Sequence, residues 1–158
     1  LRDVDLLARA SRSTSVHCNL SIGTLDPSVW KATEPGTPHP KRRVEAVRRL
    51  NDAGVECGVL IAPIIPGLSD GDEQLDEVAQ ACLDAGATSI NPVVLHLRPG
   101  VREHFLSWLK TKDASLAHSL ENRYRGSYLS AADQATITDR IKQRVARASD
   151  NIDRWAHG

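Results

Sequence analysis

Four positions in the first 62 residues have the types and spacing to hold a ligand. Ser21 lies in VHCNLSIGT (16–24), where Val16, Cys18, Leu20 and Ile22 alternate with His17, Asn19, Ser21 and Gly23, the period of a strand. In α/β proteins ligands gather at the carboxyl ends of strands, so the Ser21 hydroxyl is placed to donate a hydrogen bond to one. The other use of that hydroxyl is a bond to neighbouring backbone. Glu34 lies in a loop stiffened by Pro35, Pro38 and Pro40, which lowers the ordering cost of clamping a ligand. Arg43 shares a helical stripe with Val47 and Leu50, and helical side chains lean toward the N-terminus, so it reaches back over the strand ends. Its planar fork suits a carboxylate, against the alternative of a solvated arginine. Ala62, in IAPIIPG (61–67), belongs to a small, kinked, apolar surface that suits a flat aromatic base or an ordinary buried strand.

Other chemistries leave no trace. Cys18, Cys57 and Cys82 are odd in number and far apart, so neither a disulfide framework nor a CxxC metal site is indicated. Cys82 follows Leu75, Val78 and Ala79 at helical spacing, and Cys18 alternates with apolar residues, so both read as packing. The sequence has no Ser-His-Asp order, P-loop, GxGxxG or HExxH. His39 and His96 have no identifiable partner. The catalytic residues are therefore unknown, and no metal ligands are assigned.

The elements that must position these residues alternate strand and helix. A helix over 3–11 precedes the strand at 16–24, and a second helix runs from Pro40 to Ala53, stopped by Gly54. A strand over 55–65 ends at Pro66-Gly67, and the next helix runs to Ala85, with Asp70 and Glu73 at capping-box spacing. A third strand near 89–97 leads to a helix carrying Val101, Phe105, Trp108 and Leu109. Strand starts 35–40 residues apart point to about three parallel βα units. Two more helices follow, joined by Arg125-Gly126-Ser127, the second with Ile137, Ile141, Val145 and Ala148 on one stripe.

The 158 residues carry 20 basic and 20 acidic side chains, which gives no support for binding nucleic acid by bulk charge. No run approaches the roughly 18 apolar residues of a membrane span, and the start lacks a signal-peptide layout, so the expected location is cytoplasmic. Three parallel strands leave exposed edges. With no methionine in the chain, this leads to the expectation that it is the downstream part of a longer protein.

The run SIGTLDPSVWKATEPGTPHPKRRVEAVRRLNDAGVECGVLIAPIIPGLSD resembles the spore photoproduct lyase-like branch of the radical S-adenosylmethionine (SAM) superfamily. The matching residues are Ser21-Ile22, Leu25-Asp26, Glu34-Pro35-Gly36-Thr37, Arg43, Glu45-Ala46, Ala53-Gly54 and Ile61-Ala62-Pro63-Ile64. LRDVDLLARA, LHLRPGVREHFLSWL and RYRGSYLSAADQ extend the likeness over essentially the whole chain. The resemblance implies a partial (β/α)6 TIM-type barrel, with residues 1–112 as its C-terminal half and 113–158 as a helical extension packed on it. It implies a 4Fe–4S cluster that reductively cleaves SAM to a 5′-deoxyadenosyl radical, in a lyase-like reaction. Ser21 would hydrogen-bond SAM and Ala62 would lie near the adenosine through its backbone. Glu34 and Arg43 match charged residues at the barrel mouth.

The family's CxxxCxxC motif is absent, and three scattered cysteines cannot replace it, so the cluster ligands are expected upstream. The chain alone is then expected to be inactive, with the N-terminal half of the same protein as its partner and no membrane partner. DNA photoproduct repair enters by family analogy alone. The rival is a non-catalytic binding module built on a truncated barrel.

Overall fold

Periodicity becomes structure in chain order as α1 (Val4–Ser11), β1 (His17–Ser21), α2 (Pro27–Thr33), α3 (Pro40–Asp52), β2 (Glu56–Ile64), α4 (Asp72–Asp84), β3 (Ile90–Val94), α5 (Val101–Lys112), α6 (Ala114–Arg123) and α7 (Ala131–Ala156). This computed structural model describes residues 2–156, and side chains from residue 2 to residue 147. Ala148, placed by the sequence on the α7 stripe, lies outside the described side chains. Among the described residues no helix is long and apolar enough to cross a membrane.

The strands form one parallel sheet in the order β1-β2-β3, so the chain is a mixed α/β protein. Parallel neighbours need crossover connections. Here α3 crosses from β1 to β2 and packs on both, while α4 leads from β2 to β3 and lies beside α3. The long α7 packs on α4 and β3, and α1 leans on α3. These four helices cover one face of the sheet. On that face Cys57, Val59 and Ile61 of β2 are fully buried in one cluster with Val47, Leu75, Val78 and Ile141. Burying an aliphatic side chain of this size contributes roughly 1.5–3 kcal/mol, so this layer dominates stability.

Helices α5 and α6 pack on each other beyond the strand ends, with Leu116 of α6 against Gly67 just after β2. The chain then returns to β3. The buried Tyr124 donates its hydroxyl to the Leu95 carbonyl at 2.9 Å, and the Leu97 N–H donates to the Ser127 carbonyl at 2.8 Å. The outer edge of β1 has no strand beside it among the described residues.

Two local features differ from the sequence reading. The stretch before the proline loop holds the short helix α2, with Pro27 in its first turn and Asp26 accepting the Ser28 and Val29 N–H groups. The predicted cap at Asp70 and Glu73 is displaced by one residue. Gly71 is the N-cap of α4, Gln74 reaches back to its N–H, and Asp70 instead accepts the Gly67 N–H at 2.7 Å. The turn after β2 needs that acceptor, so Asp70 is unavailable to the helix.

Candidate functional site

Ser21 ends β1 with its side chain on the exposed face of the sheet, opposite the helices. Its backbone carbonyl accepts one guanidinium N–H of Arg43 at 2.9 Å, across 22 residues of sequence. The same guanidinium bonds the Glu34 carboxylate, the Thr37 hydroxyl at 2.6 Å and the Pro38 carbonyl at 2.9 Å. Four of its five donors are thereby used within the protein. Thr37 completes the knot, accepting from the Trp30 indole at 3.0 Å and donating to the Glu34 carbonyl at 2.8 Å. Arg43 and Glu34 keep only 12% and 19% of their side-chain surface, so this pair is well shielded from water. The carboxylate that fills the Arg43 fork is Glu34's own. The structure thus joins Ser21, Glu34 and Arg43, with Arg43 tying the loop to the end of β1.

Ala62 is half-buried near the end of β2, and Gly23 lies tight against it. A Cβ on Gly23 would sit 2.8 Å from the Pro63 carbonyl oxygen and 3.1 Å from the Ala62 carbonyl carbon. A side chain at 23 would wedge apart the two strand ends that form this small-residue shelf. Beyond the loop, Thr33, Pro35, His104, Phe105 and Trp108 line a groove of about 270 Å³ between α2 and α5.

The exposed face of the sheet continues the polar series of β1. His17 pairs with Glu56 on the neighbouring strand, Nδ1 to Oε2 at 2.7 Å. Asn19 stands opposite Gly58, and Ser21 opposite Leu60. The cysteines lie apart from this face. Cys57 and Cys82 are fully buried, and burial pushes their thiols up to about 11 and about 12. Thiols so held do not suit thiolate ligation. Among the described residues no group of three or more His, Cys, Asp or Glu side chains could hold a metal ion.

Both orphan histidines gain partners. His39 caps α3 by accepting the Lys41 N–H at 3.2 Å and meets Trp30 edge-on at 4.8 Å. His96 stacks on Tyr128 at 3.9 Å, a contact between segments 32 residues apart that no local spacing could reveal.

Comparison with known proteins gives uncharacterized relatives. The chain is 32% identical over 147 residues to an uncharacterized protein of Mycobacterium tuberculosis, covering 92% of this chain and 43% of that protein. It is 32% identical over 116 residues to an uncharacterized protein of Acidianus two-tailed virus, covering 70% of this chain and 38% of the relative. An uncharacterized protein of Methanocaldococcus jannaschii matches at 26% over 129 residues, covering 81% and 41%. The chain spans less than half the length of these curated relatives. No family model matches, and no solved structure matches significantly.

Sequence reading missed Thr37 and Trp30 as members of the loop knot. A threonine three residues after Glu34 carries a weak turn signal, but the indole donor arrives from an unforeseen helix.

Proposed function

We propose that this chain is the SAM-holding wall of a radical SAM enzyme, built as an arc of a partial (β/α)6 barrel. The observation that carries the reading is the one-sided sheet: helices bury one face, while polar side chains line the other up to Ser21. Parallel sheets are normally covered on both faces, and an arc of barrel wall is a natural exception when its lumen side is viewed alone. The resemblance at Ser21-Ile22, Glu34–Thr37 and Ile61–Ile64 supports the family, and the greater length of the relatives leaves room for the rest of a barrel.

The residues present suit SAM. The Ser21 hydroxyl is exposed at the strand end, and the Gly23–Ala62 shelf offers backbone without bulk beside it. Ser21 would bind a polar group of SAM, and the Ala62 backbone would flank the adenosine. Arg43 acts as a positioning residue, holding the Glu34–Thr37 turn against β1. When bound in such an enzyme, SAM supplies a 5′-deoxyadenosyl radical that abstracts hydrogen from the substrate. The residues of this chain do not fit the iron–sulfur cluster, because Cys57 and Cys82 are buried thiols and no third ligand converges with them among the described residues. On this reading the cluster ligands belong to the part of the longer protein that this chain does not cover.

The test is anaerobic purification of the complete gene product, followed by equilibrium SAM binding and measurement of 5′-deoxyadenosine with dithionite as reductant. SAM binding with 5′-deoxyadenosine release is expected. Ser21→Ala should weaken binding by up to about tenfold, the loss of one hydrogen bond of about 1.4 kcal/mol. A product that binds no SAM overturns the proposal. SAM binding without cleavage favours a non-catalytic module.

A further inference from the structure

The ladder between β1 and β2 sets side by side two cysteines that are 39 residues apart in sequence, Cys18 and Cys57. Register partners in a sheet send their side chains to the same face, and here it is the face under the helices. Cys57 is fully buried in the core cluster. Cys18 packs against that cluster half-buried, on a strand with no described strand on its outer side. Neighbouring strands stand about 4.8 Å apart. A disulfide spans roughly 4.4–6.8 Å between Cα atoms, so the backbone already holds this pair at bonding range. Cys82 lies on α4, outside the ladder.

The two thiols differ in a way that gives them separate tasks. Burial first, and the neighbouring Cys18 second, push the Cys57 thiol up to about 11. The effect of one sulfur on the other falls with distance, in keeping with their shared register. A buried thiol that keeps its proton does not meet an oxidant, whereas the half-buried Cys18 does. Once Cys18 is linked to a small thiol, its sulfur becomes the electrophile and its register partner Cys57 faces it. The ionised fraction of Cys57 at neutral pH is small. A thiolate of high pKa is a strong nucleophile, and its attack on a fixed neighbour is intramolecular. Both offset that small fraction.

We infer that Cys18 and Cys57 form a reversible dithiol–disulfide site. Cys18 meets a low-molecular-weight disulfide, Cys57 resolves the adduct, and the bond fastens β1 to β2 beneath Ser21. With glutathione disulfide, the Cys18 thiolate attacks one sulfur, so that the Cys18–glutathione bond forms and the glutathione S–S bond breaks. The departing thiolate takes up a proton. Cys57, having given its proton to water, attacks the Cys18 sulfur and expels the second glutathione thiolate, which is protonated in turn. Two protein thiols are oxidised, and one glutathione disulfide is reduced to two thiols. The half-buried Cys18 sulfur also gives an incoming reducing thiolate its point of attack, so the bond opens by the reverse path. This site goes beyond the SAM reading and does not depend on it.

The experiment incubates the reduced full chain with excess glutathione disulfide, quenches with acid, and follows intact mass and peptide maps. A glutathione adduct at Cys18 should appear first. It should then give way to a chain two hydrogens lighter, in which the cross-linked peptides hold Cys18 and Cys57. For each unit of pH above neutrality the second step should quicken about tenfold, as does the ionised fraction of a thiol titrating near 11. Cys57→Ala should stop the reaction at the adduct, and Cys18→Ser should leave the two buried thiols reduced. Cys82→Ala should behave as the native chain. In urea, where the register is gone, Cys82 should enter the pairings as well. Amide exchange over residues 17–21 should slow in the oxidised chain and recover with dithiothreitol. A native chain that stops at the adduct overturns the inference. So does a bond to Cys82 in the folded chain, a dimer linked through Cys18, or exchange in β1 that is indifferent to oxidation.

Discussion

The two faces of one three-stranded sheet obey different rules. On the covered face Cys57, Val59 and Ile61 alternate inward and meet α3, α4 and α7, with no surface left to water. On the other face the same strands present His17, Asn19, Ser21, Glu56 and Asn91. A strand has only two sides, so a period-two pattern that is apolar on one and polar on the other fixes which side the crossovers must take. Both outer edges, of β1 and of β3, have no strand beside them among the described residues, and the chain past β3 is fastened by Tyr124 at Leu95 and by Ser127 at Leu97. Stability is concentrated on the covered side and the unused hydrogen-bonding capacity on the open one.

The sharpest break of that contrast is a pair of truncations. Ile61→Ala, on the fully buried side of β2, should cost about 2–5 kcal/mol through lost burial and a cavity. Val93→Ala, on a side chain 43% exposed on the open face, should stay within about 0.5 kcal/mol. Urea unfolding of both variants measures the difference. A comparable loss at Val93 would mean that something covers the open face in solution.

The contrast was already present in the amino-acid order. Val16 to Gly23 announces a one-sided strand, and Val44, Val47 and Leu50 announce the helix that lies on it. Those signals are local, because a repeat of two or 3.6 residues is written in the sequence itself. Arg43 was legible as a residue reaching over the strand end, and it does reach the Ser21 carbonyl. Its partner was not legible. Glu34 lies nine residues away, and only the turn at Gly36 with the short helix α2 before it brings the two together. The stacking of His96 on Tyr128 and the capping by His39 were hidden for the same reason, since each depends on how a loop folds.

The loop knot gives the next largest effect. Arg43→Ala removes a charge-assisted bond to Glu34 and leaves that carboxylate shielded without its cation. A loss of about 1.5–3 kcal/mol is expected. Hydrogen exchange should accelerate over residues 34–39, with β2 and β3 unchanged. Thr37→Val, which removes the hydroxyl shared by Trp30, Glu34 and Arg43, should give a smaller shift in the same segment. Unchanged exchange in both variants would show that the prolines alone hold the loop.

The covered face also carries a pH signature. Burial holds the Cys57 thiol near 11, against an ordinary value of 9.0. The folded state therefore keeps the proton when the unfolded chain begins to lose it. The stabilisation is fully present below about pH 9 and is lost as pH rises toward 11. Cys57→Ala should flatten the alkaline fall in stability relative to the native chain. At neutral pH an aromatic disulfide reagent should label the half-buried Cys18 before Cys57 or Cys82. Early labelling of Cys57 would place it on an accessible face and reverse the contrast.

The smallest expected effect lies where the covering layer fastens to itself. Asp72, in the first turn of α4, accepts from Arg140 and from Arg144 at 2.6 Å, and Arg140 also donates to the Asp70 carbonyl at 2.8 Å. The bond from Arg140, more than any other cause, holds the Asp72 carboxyl below the usual carboxylate range. A depressed carboxyl contributes stability above its ordinary value of 3.8, lost as pH falls through the lowered one, so α7 should loosen from α4 only in acid. The carboxylate is open to water, so screening limits its contribution. Asp72→Asn should therefore lower the melting temperature less than any substitution above. That decrement should vanish in molar salt, where the screening length falls to about 3 Å. Backbone exchange over residues 137–147 at low and high salt is the measurement. A decrement that persists in molar salt would assign Asp72 a structural hydrogen bond rather than an ion pair, and would move the anchorage of α7 toward polar geometry.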